Sequence, residues 1–305
     1  MYIKKLIAKY RQFSSMPEKI YKIQEALGRV EGRQLLGNLD FSSSEFRVFS
    51  QWGEDGIIQN LISRVKIKRP VFVEFGVENY TESNTRFLLI NNCWSGLVID
   101  GSDENISYIR KDPIYWASNL KAVHSFITKD NINDLLVSNG ISDDIGLLSI
   151  DIDGNDYWVW EAIHVISPRI IICEYNSHFG PVAEVATPYE EYFVRDLAHF
   201  SKIYYGASIA ALNSLANSRG YSLVASNTAG NNIFFVRNDL LNDIKVISPI
   251  EAYRRSGFRE FHDELGQLTF DTFEDRLHKI SHLPVFDFKT GSIKNISEIP
   301  EISHF

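Results

Sequence analysis

The chain has 305 residues, 44% of them hydrophobic and 23% charged. This is the composition of a globular protein; it excludes a disordered or collagen-like chain and suits one large α/β domain with small appendages. The formal net charge of -8 excludes bulk attraction to nucleic acid.

The first forty residues differ from the rest. Lys4, Lys5, Lys9, Arg11, Lys19 and Lys22 stand against few acids. Ile3, Leu6, Ile7 and Tyr10 recur at helical spacing. Ser15 and Pro17 punctuate, and Ile20, Ile23, Leu27, Val30 and Leu35 continue the pattern. Residues 1–40 therefore read as a helical N-terminal segment. Its short apolar face favours packing within a homo-oligomer, or a simply solvated leader, over contact with a membrane surface.

From Pro70 short apolar runs alternate with amphipathic stretches. Val71–Phe75 is a buried strand with Glu74 near its end, followed by a helix from about Ser83 to Asn91. Gly96–Asp100 is a second strand, with a helix beginning at Asn105. Leu120–His124 is a third strand, and Ile132–Val137 a helix. Ile145–Asp151 is a fourth strand, Tyr157–Ile163 a helix, and Ile170–Glu174 a fifth strand. Such alternation predicts a doubly wound, mostly parallel Rossmann-like sheet with helices on both faces. Tyr221–Ala225 and Asn232–Val236 predict an antiparallel pair turned by Asn227, Gly230 and Asn231. The α/β domain then covers residues 41–238, and 239–305 read as a helical, loop-rich extension.

Both cysteines, Cys93 and Cys173, lie in apolar stretches and read as small buried hydrophobes. Without a cysteine framework a reducing compartment is expected. Met1–Arg11 is too often broken by charge for a signal peptide, and no apolar run spans a bilayer. The expected location is the cytoplasm.

In open α/β sheets, ligands bind beyond the carboxyl ends of the strands. Four strands end in or near acids here: Glu74, Asp100, Asp151 and Glu174. One such acid is an ordinary helix cap or turn residue. Four at corresponding places point to a ligand, because an unpaired buried charge is costly. Gly76 would let the backbone come close to that ligand. Val77, Glu78, Asn79 and Tyr80 replace the later glycines of a dinucleotide fingerprint, which speaks against pyrophosphate. Glu82, Ser83, Asn84 and Thr85 either cap the next helix or contact the ligand. His178, just past the fifth strand, is either a general base or a surface loop residue.

Several segments together resemble the FkbM-type branch of class I methyltransferases. They are Ser50–Gly56, Phe72–Val77, Glu82–Thr85, Val98–Gly101, Leu148–Asp156 and Cys173–Asn176. The resemblance implies S-adenosylmethionine as cofactor and methyl transfer to a hydroxyl of a sugar or surface-polysaccharide precursor. On that reading Glu74 serves the cofactor's amino group, directly or by orienting the loop, and Asp100 accepts both ribose hydroxyls. Gly76, Gly101 and the Glu82–Thr85 loop line the same site, and Phe126 and Ile127 flank the adenine. The segment around Asp151 is richer in acids than methyl transfer requires. Asp151, Asp153, Glu174 and Asn176 are hard oxygen ligands suited to Mg²⁺ or another divalent cation. That ion, or His178, would activate the acceptor oxygen; the bland reading of Asp153–Asp156 is a tight turn and helix cap. Two other readings stay open: a non-catalytic binding or scaffold subunit of a polysaccharide-biosynthesis assembly, and a metal-dependent hydrolase.

Overall fold

The computed structural model describes residues 16–35 and 40–303. The first predicted helix, over Ile3 to Tyr10, lies outside them. The second is α1, Met16–Gln34; α2, Glu54–Arg64, follows.

The alternating pattern yields a seven-stranded sheet. In chain order the strands are β1 Val71–Phe75, β2 Ser95–Asp100, β3 Leu120–His124, β4 Asp143–Ile150, β5 Ile166–Glu174, β7 Tyr221–Ser226 and β8 Asn232–Arg237. Their spatial order is β3-β2-β1-β4-β5-β8-β7. The first five pair in parallel, whereas β8 runs antiparallel to both β5 and β7. This is the doubly wound, mostly parallel Rossmann-like sheet that the sequence predicts. Its parallel crossovers run through α3 Arg86–Asn91, α4 Asp103–Lys111, α5 Pro113–Ala117, α6 Ile132–Ser138 and α7 Asp156–Ala162.

Alternate strand residues go to opposite faces. Val73, Phe75, Leu97 and Ile99 join one apolar cluster with Trp160 and Leu212. Phe72, Val98, Leu147 and Ile172 join the other with Ile57 and Leu61. Both faces are thus covered, and the strand order reverses between β1 and β4. A doubly wound sheet opens its ligand crevice at the carboxyl ends of the strands at such a reversal.

The C-terminal part differs from the expectation. Residues 239–305 contain strands as well as short helices: β9 Pro284–Asp287 and β10 Ser292–Asn295 pair antiparallel. β9 also pairs with β6, Val185–Ala186. Strands of two to four residues carry too few positions to show alternation, so no periodicity announced them. Three further short helices are α8 Arg195–Ala198, α9 Ile209–Ser218 and α10 Pro249–Ala252, and α11 covers Phe273–Ile280. Cys173 is buried as expected, but Cys93 is exposed. Its φ is +54°, a turn position that carries the thiol out of the apolar run around it.

Candidate functional site

Gly76 follows β1 with φ +69°. A Cβ built there would stand 1.6 Å from the carbonyl oxygen of Asp151. The ends of β1 and β4 are therefore in backbone contact, and only glycine permits both the approach and the left-handed conformation. This contact sets Asp151 in the wall of a cavity of 160 Å³, whose lining includes Gly76, Asp100, Gly101, Phe126, Ile127 and Asp151. Five residues predicted to bind the cofactor thus meet in one place. The cavity is smaller than the roughly 300–1,000 Å³ of most small-molecule sites. Of its aromatic lining, Phe126 lies 5.6 Å, ring to ring, from Tyr192 outside the cavity.

Asp100 is organised by its own loop. Its Oδ2 accepts from the Glu78 amide at 2.8 Å, and its Oδ1 from the Ser102 amide at 2.8 Å and Asn105 Nδ2 at 3.1 Å. A carboxylate has about four lone-pair sites, so one remains for a ligand hydroxyl rather than the two expected.

Glu74 and the Glu82–Thr85 loop lie apart from that lining. Glu74 accepts from the Asn84 and Thr85 amides at 2.8 and 3.1 Å and from the Thr85 hydroxyl. Burial pushes its carboxyl up to about 7 against these bonds. Glu74 thus orients the loop, the indirect one of its two expected roles. Asn84 Nδ2 donates to Ser149 Oγ at 3.1 Å. Ser83 Oγ accepts from the Arg86 amide at 3.2 Å at the start of α3. Glu82 pairs with Arg47 at 2.5 Å on the surface. Their bonds are those of a cap and a loop staple.

Past β4 and β5 the acids converge. Carboxylate oxygens of Asp151, Asp153 and Glu174 lie within 4.8 Å of one another. The turn between β4 and α7 makes this possible. Asp156 accepts from the Ile152 amide at 2.8 Å and the Gly154 amide at 2.9 Å, which holds Asp153 in the left-handed region at φ +54°. Desolvation and then the neighbouring charges, Asp153 for Asp151 and Asp151 for Glu174, raise the half-buried Asp151 and the buried Glu174 well above the ordinary carboxylate range. Glu174 Oε2 is buried without a hydrogen-bond partner.

Asn176 is not free to join them. Its Nδ2 donates to the Ile203 and Tyr205 carbonyls at 2.8 and 2.9 Å, and its Oδ1 accepts from the His178 amide at 2.9 Å. His178 is buried rather than on the surface. Its Nδ1 lies 3.1 Å from Asn176 Oδ1, and its ring stacks on Phe273 at 4.7 Å. Burial, then the charges of Arg276 and Arg195, pull its pKa down to about 3, so it stays neutral near pH 7. It is not part of the acidic cluster. Tyr204 and Tyr205, which as loop tyrosines would suit stacking on a sugar ring, are both buried.

The sequence gives no sign of Arg195. Its guanidinium lies 2.6 Å from Asp153 and 2.5 Å from Glu260 and 3.8 Å over the Tyr205 ring. It is the cation that offsets the acidic turn and ties the C-terminal region to it. Its partners lie 42 and 65 residues away, so no local spacing could reveal it.

Among solved structures the chain is similar to an S-adenosylmethionine-dependent methyltransferase from Clostridium acetobutylicum, at 11% identity and TM-score 0.39 over 75% of this chain and 98% of that one. It is also similar to the N-terminal domain of EvdMO1 with SAH bound, at 12% identity and TM-score 0.37 over 55% and 73%. M. capricolum TrmK in complex with S-adenosyl-homocysteine is matched at 13% identity and TM-score 0.34 over 59% and 67%. No family model and no curated protein matches the chain.

Proposed function

We propose that this chain is an S-adenosylmethionine-dependent O-methyltransferase acting on a hydroxyl of a sugar or surface-polysaccharide precursor. The observation that carries the reading is the junction of two sites at one sheet reversal. A crevice with an apolar wall and the Asp100 carboxylate adjoins a cluster of acids on the next two strand ends. The sugar acceptor rests on the FkbM-type resemblance of the quoted segments.

The residues present fit a nucleoside: Ile99, Phe126 and Ile127 offer an apolar wall, and Asp100 keeps one acceptor site for a ribose hydroxyl. When bound, the cofactor supplies an electrophilic methyl group. Asp151 stands at the boundary between crevice and acid cluster and takes the proton of the acceptor hydroxyl. Its place in the crevice lining suits that task better than that of His178, which lies outside the lining. Holding the acceptor oxygen in line with the methyl group supplies much of the rate.

The acid cluster also fits a divalent cation. Asp151, Asp153 and Glu174 are hard oxygen donors, and the buried, unpartnered Glu174 Oε2 is an atom such an ion would satisfy. The ion would lower the pKa of an acceptor hydroxyl.

The test is transfer of a labelled methyl group from S-adenosylmethionine to cell-envelope glycan fractions, with Mg²⁺ and with a chelator. The reading expects label in alkali-stable methyl ethers of sugars, lost in Asp151→Asn. Label confined to protein or lipid, or no label with folded protein that binds the cofactor, would contradict it.

A further inference from the structure

Helix α1 lies on the body of the protein by an unexpected face. Gly28 is buried, and a Cβ there would meet Val48 Cγ2 at 2.4 Å and the Phe87 ring at 3.0 Å. Gln24 Nε2 donates to the Val48 carbonyl on the same side. A glycine inside a helix costs about 1 kcal/mol relative to alanine, so Gly28 marks the side that must approach the body closely. The apolar side points away. Met16, Ile20, Ile23, Leu27 and Val30 are 48%, 60%, 60%, 59% and 50% exposed.

These five residues are spaced alternately by four and three. That is a narrow two-position seam of period 3.5, the pattern of a helix that pairs with another helix; a membrane-surface helix presents a broader apolar face. We infer that this seam joins two copies of the chain through parallel α1 helices. The polar flanks favour the parallel arrangement. Lys19 and Arg33 lie along one edge of the seam, and Gln24 and Glu31 along the other. Parallel pairing sets Lys19 of one helix beside Gln24 of the other and Ala26 beside Glu31, with no like charges in contact. Antiparallel pairing, layering Ile20 on Val30, brings Lys19 beside the Arg33 of the second copy, a like-charge clash. Covering the seam buries roughly 100 Å² per side chain, on the order of 1,000 Å² over both copies, the size at which specific interfaces begin.

Sedimentation velocity of the full chain across a micromolar concentration series tests it. The expected species is a dimer of the 34.9 kDa chain. The variant Ile23→Glu/Leu27→Glu should sediment as a monomer and keep the far-ultraviolet circular dichroism of the folded wild type at 20 °C, since neither side chain packs on the body of its own chain. In a Cys93→Ser background, Val30→Cys should form a disulfide-linked dimer on mild oxidation, because parallel pairing puts the two copies of position 30 face to face. A monomeric wild type, or a dimer that survives the double glutamate, overturns the interface. A dimer that fails to cross-link at position 30 overturns the parallel arrangement. A monomer that floats with phosphatidylglycerol vesicles and is released by the double glutamate assigns the seam to a membrane surface instead.

Discussion

Replacing Gly76 by alanine probes the contact on which the site is built. The new methyl carbon would lie 1.6 Å from the Asp151 carbonyl oxygen, whereas ordinary contact begins at 3.4 Å. Neither atom belongs to a flexible side chain, so the ends of β1 and β4 must move apart by the difference, about 1.8 Å. Overpacking of this kind costs about 1–3 kcal/mol, and a non-glycine residue in the left-handed region about 1–2 kcal/mol more. The expected loss is therefore about 2–5 kcal/mol, read as a lower urea midpoint at unchanged slope. Binding of S-adenosylhomocysteine, followed by calorimetry, should weaken at least tenfold because Asp151 and the crevice wall shift together. Gly101→Ala is the control: its Cβ would meet only Phe126, at an ordinary 3.5 Å, and stability should hold. If Gly76→Ala matched the wild type in midpoint and affinity, the backbone contact would not organise the site.

Other outcomes follow from the same geometry. Burial raises Glu74 to about 7 from an ordinary 4.5; its folded form holds the proton more tightly, so its contribution is fully present below pH 4.5 and is lost as pH rises through 7. Urea midpoints of wild type minus Glu74→Gln should therefore fall with pH across that window, and a flat or rising difference would contradict the burial argument. Arg195→Met leaves Glu260 and Asp153 without their cation and should cost about 3–5 kcal/mol, the scale for breaking a largely buried pair; an unchanged thermal midpoint would show that the C-terminal region is not tied there. Asp144 binds the buried Arg169 and also Arg237; burial raises its pKa, but these bonds outweigh burial and hold it below the usual value. Its contribution is present above the ordinary carboxylate value and is lost as pH falls through the depressed one, so Asp144→Asn should destabilise the protein near neutrality and flatten its acid-side unfolding curve.

Much of the fold is legible in the sequence because buried parallel strands are short runs of Val, Ile, Leu and Phe. Val71–Phe75 and Leu120–His124 coincide with the observed strands. Where strands are short the signal fails: Pro284–Asp287 and Ser292–Asn295 offer four residues each. The acids at the strand ends are legible too, because charge at the end of an apolar run is conspicuous. Their division of labour is not. Glu74 binds backbone in its own loop, Asp151 stands at the cavity, and nothing in either strand separates them. Asn176 and His178 follow Glu174 closely, as a metal ligand and a general base would, but their polar atoms serve a local turn. Arg195 and Glu260 come together only through long-range packing, which residue spacing does not encode. The α1 stripe was visible as a helix pattern, but which side meets the body is decided by Gly28, Val48 and Phe87.

The most direct test of the central claim is calorimetric titration of the folded chain and of Asp100→Ala with S-adenosylmethionine and S-adenosylhomocysteine. The crevice account predicts micromolar or tighter binding by the wild type, weakened at least tenfold, or about 1.4 kcal/mol, when the Asp100 carboxylate is removed. Absence of binding to the wild type, or equal affinity in the variant, would contradict the assignment of this crevice to the cofactor.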